Sequence, residues 1–529
     1  MTNSIMEIGD AACILAIGTN TTAAHPVIAL QVKKAAYREV PIIVVNPKRI
    51  DLCRWATVFL QLRPGTDVAL VMGMMRVIVD EGLLDREFIE QRCENFDEFA
   101  QSLRDFDLDF AARVTGVPAD KIAQAARLYA AHKPASILYC LGITEHSHGT
   151  DNVMALANLA MLTGNVGLRS SGVNPLRGQN NVQGACDMGC LPNVLPGYQK
   201  VADQAVREKF SQAWGCDVPE STGMTMCDFF SAALEGKIRA MYIVGMDNAR
   251  TMADIGQVER ALEALDFLVV QDIFMTDTAR FADVLLPAAS FAEKDGTFIN
   301  SERRVQRVRK AIEPVGDSWP DWKITSEIAK RMGASGFEYQ DPSEVWDEVA
   351  ALCPNFAGIS YARIEEAGLQ WPCPTTDHPG TATLHAQRFA TPSGKGKFSP
   401  LAYRPPAELP DEEYPLVLTT DRSLFHFHTR SMTGKVKGLE ALHAEELVHI
   451  NPDDAAALGI EHGDRVRVAS RRGEVTARAK VTDIVPAGMV SMSFHFAECP
   501  TNVLTSPAGD PVTNTPEFKV AAVRVRRAQ

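Results

Sequence analysis

The sequence lacks the cysteine patterns that mark iron–sulfur and structural zinc sites. Its 11 cysteines include no Cys-x-x-Cys pair, and the two that stand closest together are Cys186 and Cys190. Because such centres are bound by clustered thiolates, these 529 residues offer none of the usual ligand sets. An odd number of scattered cysteines also favours free thiols in a reducing compartment.

Membrane spans and basic tracts are missing as well. No run of eighteen apolar residues occurs, which excludes a membrane-spanning helix within this sequence. The net charge of −13, with only the short RVRRAQ tail as a basic stretch, argues against a nucleic-acid partner. The opening MTNSIMEIGDAACILAIG has no basic segment before its apolar part and therefore predicts a first strand, not a signal peptide. We expect a cytoplasmic protein.

Two strand–glycine–helix–strand units are present. The first has the strand ACILAIG, a turn after Gly18, a helix and the strand PIIVV; the second begins with YIVG and continues to FLVVQD. Asn46 stands 28 residues after Gly18, and Asp272 stands 27 residues after Gly245. Continuous Val/Ile runs between helices predict parallel sheets, whose ligands bind at the carboxyl ends of the strands. The matched spacing predicts two nucleotide-like sites related by internal symmetry, although unliganded turns of this kind are common.

The rest of the chain changes character twice. Residues 293–311 predict an exposed hairpin or loop, and DWKITSEIAKRMG predicts a helix. Frequent Pro and Gly between 372 and 410 are typical of a linker. The short alternating segments YPLVLTT, ELVHINP, DRVRVASRRGEVTARAKV and GMVSMSFHF then predict a C-terminal β-barrel.

One polar stretch, NPLRGQNNVQGACDMG at 174–189, resembles neither a core nor an ordinary surface loop. The planar guanidinium of Arg177 is suited to bind a carboxylate through two parallel hydrogen bonds. The amides of Gln179, Asn180, Asn181 and Gln183 match the edges of a heterocycle. The alternative is that these amides cap turns and that Arg177 pairs with Asp187.

This stretch, with LAMLTGNVG before it and LPNVLPGYQ after it, resembles the catalytic subunit of molybdenum- or tungsten-dependent formate dehydrogenases. These enzymes are bis-molybdopterin-guanine-dinucleotide oxidoreductases, and VVQDIFMT, ADVLLPAAS, LQWPCP, RSMTG and TPEFK extend the similarity along the chain. The resemblance implies an α/β fold with two Rossmann-like αβα domains of parallel sheets related by pseudo-symmetry, plus a C-terminal six-stranded double-psi-type β-barrel. It implies two cofactor-binding domains at 1–179 and 180–291, a remainder with linker at 292–405, and a dinucleotide-binding barrel at 406–529.

The resemblance also implies roles for individual residues. Arg177 matches the family's active-site arginine, which orients formate beside the metal. The cofactor would be bis-molybdopterin guanine dinucleotide with Mo or W, and the positions that match its contacts are Gly18, Asn20, Asn46, Gly142, Glu145, Gly178, Gln179, Gly245, Asp272, Thr276, Arg422, His426, Asn502, Phe518 and Lys519. Ala23 replaces an acid often found in the first turn. We expect structural roles for His25, His146 and His148 and small buried thiols at Cys186 and Cys190, and propose no protein metal ligand.

Family members also carry an N-terminal 4Fe-4S region and a metal-binding selenocysteine or cysteine followed by a histidine. The resemblance implies that this sequence lacks that part, and our hypothesis is a start chosen downstream of a stop codon read as selenocysteine. A natural split into two polypeptides or a deliberate fragment would explain the same sequence. We expect residues 1–529 alone to expose apolar surface, to be poorly soluble and to lack formate oxidation.

The implied partners are the missing segment and an electron-transfer subunit of the iron–sulfur, flavin/NAD or hydrogenase type.

Three other functions remain open. A related molybdopterin oxidoreductase would act on nitrate or another small anion, and a non-catalytic protein would bind or assemble the cofactor. An NAD-dependent dehydrogenase would explain the strand–helix units, but no G-x-G-x-x-G follows the first strand.

Overall fold

The computed structural model describes residues 1–528, which form two compact units that interleave along the chain. The first unit contains Met1–Leu176, Arg250–Gly256 and the chain from Thr383 onward, and the second contains Arg177–Ala249 and Gln257–Ala382. The division into four successive domains stays a prediction. None of the helices in residues 1–528 is long and apolar enough to cross a membrane.

The first unit is built around a five-stranded sheet in which all strands are parallel. Its strands, in spatial order, are Val58–Leu60, Ile42–Val45, Cys13–Ile17, Ala135–Tyr139 and Gly172–Pro175. The central three strands are buried along their whole length, which is why their sequences are continuous apolar runs without alternation. The helices of this region are Thr21–Ala24, Pro26–Ala36, Asp67–Asp80, Arg86–Arg92, Phe96–Ser102, Leu108–Thr115, Ala119–Ala131, Leu141–Thr144 and Gly149–Leu162.

Helix ends follow from local residues. The helix Asp67–Asp80 begins after Thr66, whose hydroxyl donates to the carbonyl of Arg63 and not to the helix. The helix Gly149–Leu162 has Thr163 as its C-cap. Gly164 is the left-handed residue after the cap (φ +65°), and the N–H groups of Gly164 and Asn165 bond to Met161 and Ala160. This arrangement satisfies carbonyl groups at the helix end.

The barrel predicted from the C-terminal segments is present in the first unit as a closed six-stranded barrel. Its strands, in order around the barrel, are Leu416–Thr420, Met489–Met492, Leu447–Ile450, Glu474–Val481, Arg465–Ala469 and Ala521–Arg527. Alternating residues such as Val466 and Val468 are fully buried inside it, while Arg465 and Arg467 are exposed. Two helices, Lys437–Leu442 and Pro452–Leu458, lie between barrel strands in sequence.

The second unit contains a three-stranded parallel sheet with the order Val284–Pro287, Phe267–Asp272 and Ala240–Val244. One face of this sheet is buried through Leu268 and Val270, whereas Tyr242, Val244 and Phe267 on the other face are 42%, 48% and 46% exposed. The helices are Val182–Asp187, Gln204–Trp214, Met226–Leu234, Asp321–Arg331 and Pro342–Leu352, and the helices Asn248–Thr251 and Ile255–Glu263 contain the crossings between units.

The hairpin predicted for residues 293–311 is present as an antiparallel pair, Gly296–Ile299 with Arg304–Val308, and Leu369–Gln370 adds a third strand to it. The stretch 174–189 is only partly a loop. Its first two residues end the strand Gly172–Pro175, and Val182–Asp187 is a helix. The helix in DWKITSEIAKRMG is confirmed as Asp321–Arg331.

Candidate functional site

The carboxyl end of the first sheet brings Gly18 and Gly142 into direct backbone contact. Gly18 follows the strand Cys13–Ile17 with φ +56°, and the N–H of Gly142 donates to its carbonyl at 3.0 Å. A Cβ atom on Gly142 would lie 2.5 Å from the Gly18 oxygen, and one on Gly18 would lie 2.7 Å from the Gly142 carbonyl carbon. Only glycine therefore fits at either position without moving the backbone. The pair lies between two adjacent parallel strands, where ligands of such sheets bind.

Asn20 and Asn46 lie at the same end of this sheet. Asn46 follows the strand Ile42–Val45, and its side-chain oxygen accepts from the N–H of Lys48 at 3.0 Å. Asn20 precedes the helix Thr21–Ala24, and its side-chain oxygen accepts from the Thr22 hydroxyl at 3.3 Å. Each amide keeps its NH2 group available for a ligand, since only the oxygens are used in these bonds.

The barrel places Lys519 against Glu145. The Lys519 ammonium lies 2.9 Å from a Glu145 carboxylate oxygen and also donates to the carbonyl and hydroxyl oxygens of Thr420 at 3.1 and 3.2 Å. The Thr420 hydroxyl in turn donates to the carbonyl of Phe518 at 2.9 Å. These bonds fix the segment 518–519 beside the loop that follows Gly142.

Arg422 and His426 are held by contacts within the barrel region. The Arg422 guanidinium lies over the Phe494 ring at 4.3 Å. Burial lowers the pKa of Arg422, and the nearby charges of Glu145 and Asp421 oppose that shift. The buried His426 ring uses both nitrogens, Nε2 with the His443 carbonyl at 2.6 Å and Nδ1 with the Thr433 hydroxyl at 3.2 Å.

Asn502 is buried and carries an unpaired acceptor. Its NH2 group donates to the carbonyls of Arg250 and Thr251, both at 3.2 Å, while its side-chain oxygen has no hydrogen-bond partner among residues 1–528. A buried polar atom without a partner is costly, so this oxygen marks a place where a donor from a ligand would be stabilising.

In the second unit, Arg177 stands at the start of the loop that leads to the helix Val182–Asp187. Its backbone N–H donates to the Ser301 hydroxyl at 3.1 Å, and its Nη1 atom donates to the Cys186 sulfur at 3.4 Å. The oxygens of Asp187 accept from Gln183 and Trp371, both at 2.7 Å. Burial raises the pKa of Asp187 to about 6, although Gln183, Trp371 and the charge of Arg177 oppose it.

The amides of this loop divide into two groups. Asn181 has φ +58° and accepts from the N–H of Ile299 at 2.9 Å, and Gln183 is used by Asp187, so both are structural. Within residues 1–528, the side chains of Gln179 and Asn180 form no hydrogen bond. Gly178 is exposed, with nothing within 4 Å of the position a Cβ would take. The structure therefore leaves Gln179 and its neighbours accessible to a ligand.

The second glycine turn is open. Gly245 follows the strand Ala240–Val244 with φ +63°, and no atom lies within 4 Å of the place where a Cβ would point. Asp272 ends the neighbouring strand, and burial raises its pKa. The buried Thr276 hydroxyl accepts from the N–H of Ala279 at 3.2 Å.

Sequence reasoning missed the ion pair between Lys48 and Asp421. Lys48 lies two residues after Asn46, its ammonium contacts Asp421, and the Ser491 hydroxyl donates to the same carboxylate at 2.6 Å. The two side chains are only 14% and 20% exposed. A polar pair separated by 373 residues leaves no periodic signal in the sequence. Within residues 1–528, no group of three or more His, Cys, Asp or Glu side chains could hold a metal ion.

Comparisons with known proteins assign the sequence to a family. The family described as Molybdopterin oxidoreductase matches residues 1–331, and the Molydopterin dinucleotide binding domain matches residues 416–522. The alpha subunit of the F420-dependent formate dehydrogenase of Methanocaldococcus jannaschii is 46% identical over 529 residues, which are 100% of this chain and 78% of that protein. Formate dehydrogenase H of Escherichia coli is 42% identical and is covered over 74% of its length by 99% of this chain.

A solved structure supports the fold. Acetylene hydratase from Pelobacter acetylenicus matches with a TM-score of 0.77 at 21% identity, covering 100% of this chain and 81% of that chain. The resemblance to formate dehydrogenase catalytic subunits is confirmed by the relatives. The chain therefore belongs to the molybdopterin oxidoreductase family and is an oxidoreductase whose cofactor is a molybdopterin dinucleotide.

Proposed function

We propose that the chain is the catalytic subunit of a formate dehydrogenase, which oxidises formate to carbon dioxide and releases one proton and two electrons. The observation that carries the proposal is the loop 177–180. It presents the half-buried guanidinium of Arg177 beside the unbonded amides of Gln179 and Asn180, in a chain 46% identical over its whole length to a formate dehydrogenase subunit.

The residues present fit a bis-molybdopterin guanine dinucleotide. In the second unit, the open space at Gly245 would admit a phosphate against the backbone, and Asp272 and Thr276 would bind the nucleoside. In the first unit, Gly18, Asn20 and Asn46 would take the other dinucleotide, and the orphaned oxygen of Asn502 would accept from it. We propose that each strand–glycine turn binds one of the cofactor's two guanosine dinucleotides.

Other matched positions would contact the pterins or the remaining cofactor groups. Those near the sheet are Gly142 and Glu145, those in the arginine loop are Gly178 and Gln179, and those on the barrel are Arg422, His426, Phe518 and Lys519. Two cations near the barrel, Arg422 and Lys519, would compensate phosphate charge. When bound, the cofactor's molybdenum or tungsten accepts the two electrons of the substrate.

Arg177 would bind and orient the substrate. The Arg177 backbone N–H donates to Ser301, and its Nη1 atom donates to the Cys186 sulfur. These two bonds orient the guanidinium before the substrate binds. A bidentate pair with the formate carboxylate would neutralise the charge and restrict rotation, which can lower a barrier by several kcal/mol. We propose that the electrons then pass to an electron-transfer subunit of the iron–sulfur, flavin/NAD or hydrogenase type.

The test measures formate-dependent reduction of a viologen dye by protein purified with its metal content determined. The chain covers 78% of the M. jannaschii relative, and we propose that the uncovered part is N-terminal. The chain is therefore assayed alone and joined to the N-terminal segment of that subunit. Arg177→Lys should raise the KM for formate about tenfold or more, since Lys cannot form the two parallel bonds. Arg280→Lys, at a 71% exposed position in the same unit, is the control.

Three results would contradict the proposal. An unchanged KM in Arg177→Lys would remove Arg177 from the substrate site. Turnover of nitrate without turnover of formate would assign the chain to another reaction. Metal and pterin in the joined protein with no turnover of either would favour a binding or assembly role.

A further inference from the structure

A buried polar cluster in the first unit connects the loop after Gly142 to the C-terminal segment. Its members Asp67, His146, His148 and Glu517 are all 4% exposed or less. Asp67 begins the helix Asp67–Asp80, and the two histidines belong to the sequence TEHSHG. Ionisable groups are rarely this buried unless they are paired, so the cluster requires an explanation.

His146 is at the centre of this cluster. Its Nε2 atom lies 3.0 Å from the Gly142 carbonyl oxygen, which can only accept, so Nε2 carries a proton. The same atom is 3.9 Å from an Asp67 oxygen, and Nδ1 is 3.7 Å from a Glu517 oxygen. One imidazole therefore stands between two buried carboxylates, and within residues 1–528 its Nδ1 atom has no hydrogen-bond partner.

Glu517 is held from three sides. One of its oxygens accepts from the N–H and hydroxyl of Ser147, both at 3.1 Å, and the other accepts from the N–H of Ala407 at 2.9 Å. Burial alone would raise the pKa of Glu517, but the nearby His146 ring and the bonds from Ser147 and Ala407 lower it below its usual value. The Glu517 carboxylate is thus held by hydrogen bonds from two separate segments.

The loop after Gly142 and the C-terminal segment 517–519 contact each other through neighbouring residues. Glu145 pairs with Lys519, and the next residue, His146, faces Glu517. Phe518, which lies between Glu517 and Lys519, is one of the proposed cofactor contacts. Residues 517–519 are therefore linked to the segment 142–147 by the Glu145–Lys519 ion pair, by the His146–Glu517 contact and by the two bonds from Ser147 to Glu517.

We propose that His146 is a positioning residue that fixes residues 516–519 against the pterin-facing loop 142–145 so that both bind the cofactor together. The proposal rests on the cofactor role proposed for Gly142, Glu145, Phe518 and Lys519. The other charged groups near the cluster are Asp151 and Arg404, which face His148.

His148 provides a matched control. Its ring stacks on that of His146 with centroids 5.5 Å apart and planes 22° apart, and it is equally buried. Neither of its ring nitrogens has a hydrogen-bond partner. Replacing either histidine by Phe keeps an aromatic ring of similar size, but only His146→Phe removes polar links.

The test compares His146→Phe with His148→Phe by hydrogen–deuterium exchange on the chain without cofactor. In His146→Phe, exchange in residues 142–147 and 517–519 should rise about tenfold or more, because two buried carboxylates lose their shared partner. His148→Phe should leave exchange unchanged or slow it. His146→Gln, which can still donate to the Gly142 carbonyl, should restore part of the protection.

The same variants are then purified from cells that make the cofactor, and the guanine nucleotide retained after dilution is measured. His146→Phe should lose nucleotide at least about tenfold faster than His148→Phe. Equal exchange in both Phe variants, or no recovery with His146→Gln, would overturn the positioning role. Raised exchange without faster nucleotide loss would overturn the link to the cofactor, and formate turnover, measured separately, tests the proposed function.

Discussion

The two parallel sheets carry similar turns in different surroundings. The strand Cys13–Ile17 of the first unit is buried along its whole length, whereas the strand Ala240–Val244 of the second alternates between exposed and half-buried residues. Both strands end in a glycine with positive φ, Gly18 at +56° and Gly245 at +63°. The comparison shows that a glycine with the same positive φ can be packed against other backbone or can face open space. The turn conformation alone therefore does not determine how tightly the residues around it are packed.

Packing decides what each glycine does. Gly18 is closed against the backbone of Gly142, while the space beside Gly245 is empty. The first turn is therefore defined by contacts within the protein, and the second has room for a ligand atom to approach the chain. The exposed apolar side chains Tyr242, Val244 and Phe267 extend this contrast to the sheet face.

The largest effect should come from the buried ion pair of the first unit. Lys48→Met leaves Asp421 buried without its cation, which should cost about 3–5 kcal/mol in the free energy of unfolding. The exposed pair Arg239–Asp266 of the second unit, 78% and 55% exposed, offers the matched change Arg239→Met, which should have little effect. Exchange of the Cys13–Ile17 and Ala240–Val244 amides reports each unit separately.

The ion pair also predicts a pH dependence. Burial would raise the pKa of Asp421, but the charge and hydrogen bond of Lys48 bring it below its usual value. The stabilisation is therefore present above the unfolded pKa and is lost as the pH falls through the folded one. If Lys48→Met kept both the free energy of unfolding of the wild type and its loss of stability at low pH, the pair would not stabilise the first unit.

The two turns themselves should respond differently to the same substitution. Gly18→Ala adds the cost of positive φ and a clash with the Gly142 backbone, together about 2–4 kcal/mol. Gly245→Ala should cost only about 1–2 kcal/mol, from φ alone. Urea unfolding followed by exchange in each sheet checks the difference, and equal losses would show that Gly18 is not closed by Gly142.

The second unit should also show a pH response, which depends on Asp187. Burial raises the pKa of Asp187 to about 6, so the folded state retains a proton that the unfolded state releases. Stability should fall by roughly 2–3 kcal/mol as the pH rises from about 4 to about 6, and remain flat above that. Asp187→Asn should flatten this slope in exchange-detected unfolding between pH 4 and 7. A slope that persists in the variant would assign the proton to another group.

Local signals in the sequence predicted much of this fold. Continuous apolar runs identified the strands Cys13–Ile17 and Ile42–Val45, and the change to short alternating segments identified the closed barrel. These features depend on neighbours within a few residues, so the sequence contains their physical cause. The pseudo-symmetry of the two sheets and the double-psi form of the barrel remain predictions.

Features made by distant residues were not predictable from local patterns. Lys48 meets Asp421 and His146 meets Glu517 only after folding, across 373 and about 370 residues. Asn174 looked like part of a ligand loop, but it is buried in a strand and its amide bonds to Ser136 and Ser171. A single polar residue gives no sign of whether its partner is the protein or a ligand.

The most direct test of the two-turn account is the nucleotide stoichiometry of the purified protein. Acid hydrolysis of metal-containing protein should release two guanosine nucleotides for each molybdenum or tungsten atom, one from each glycine turn. Protein that holds the metal with one guanosine nucleotide, or with none, would contradict the claim that both turns bind the cofactor.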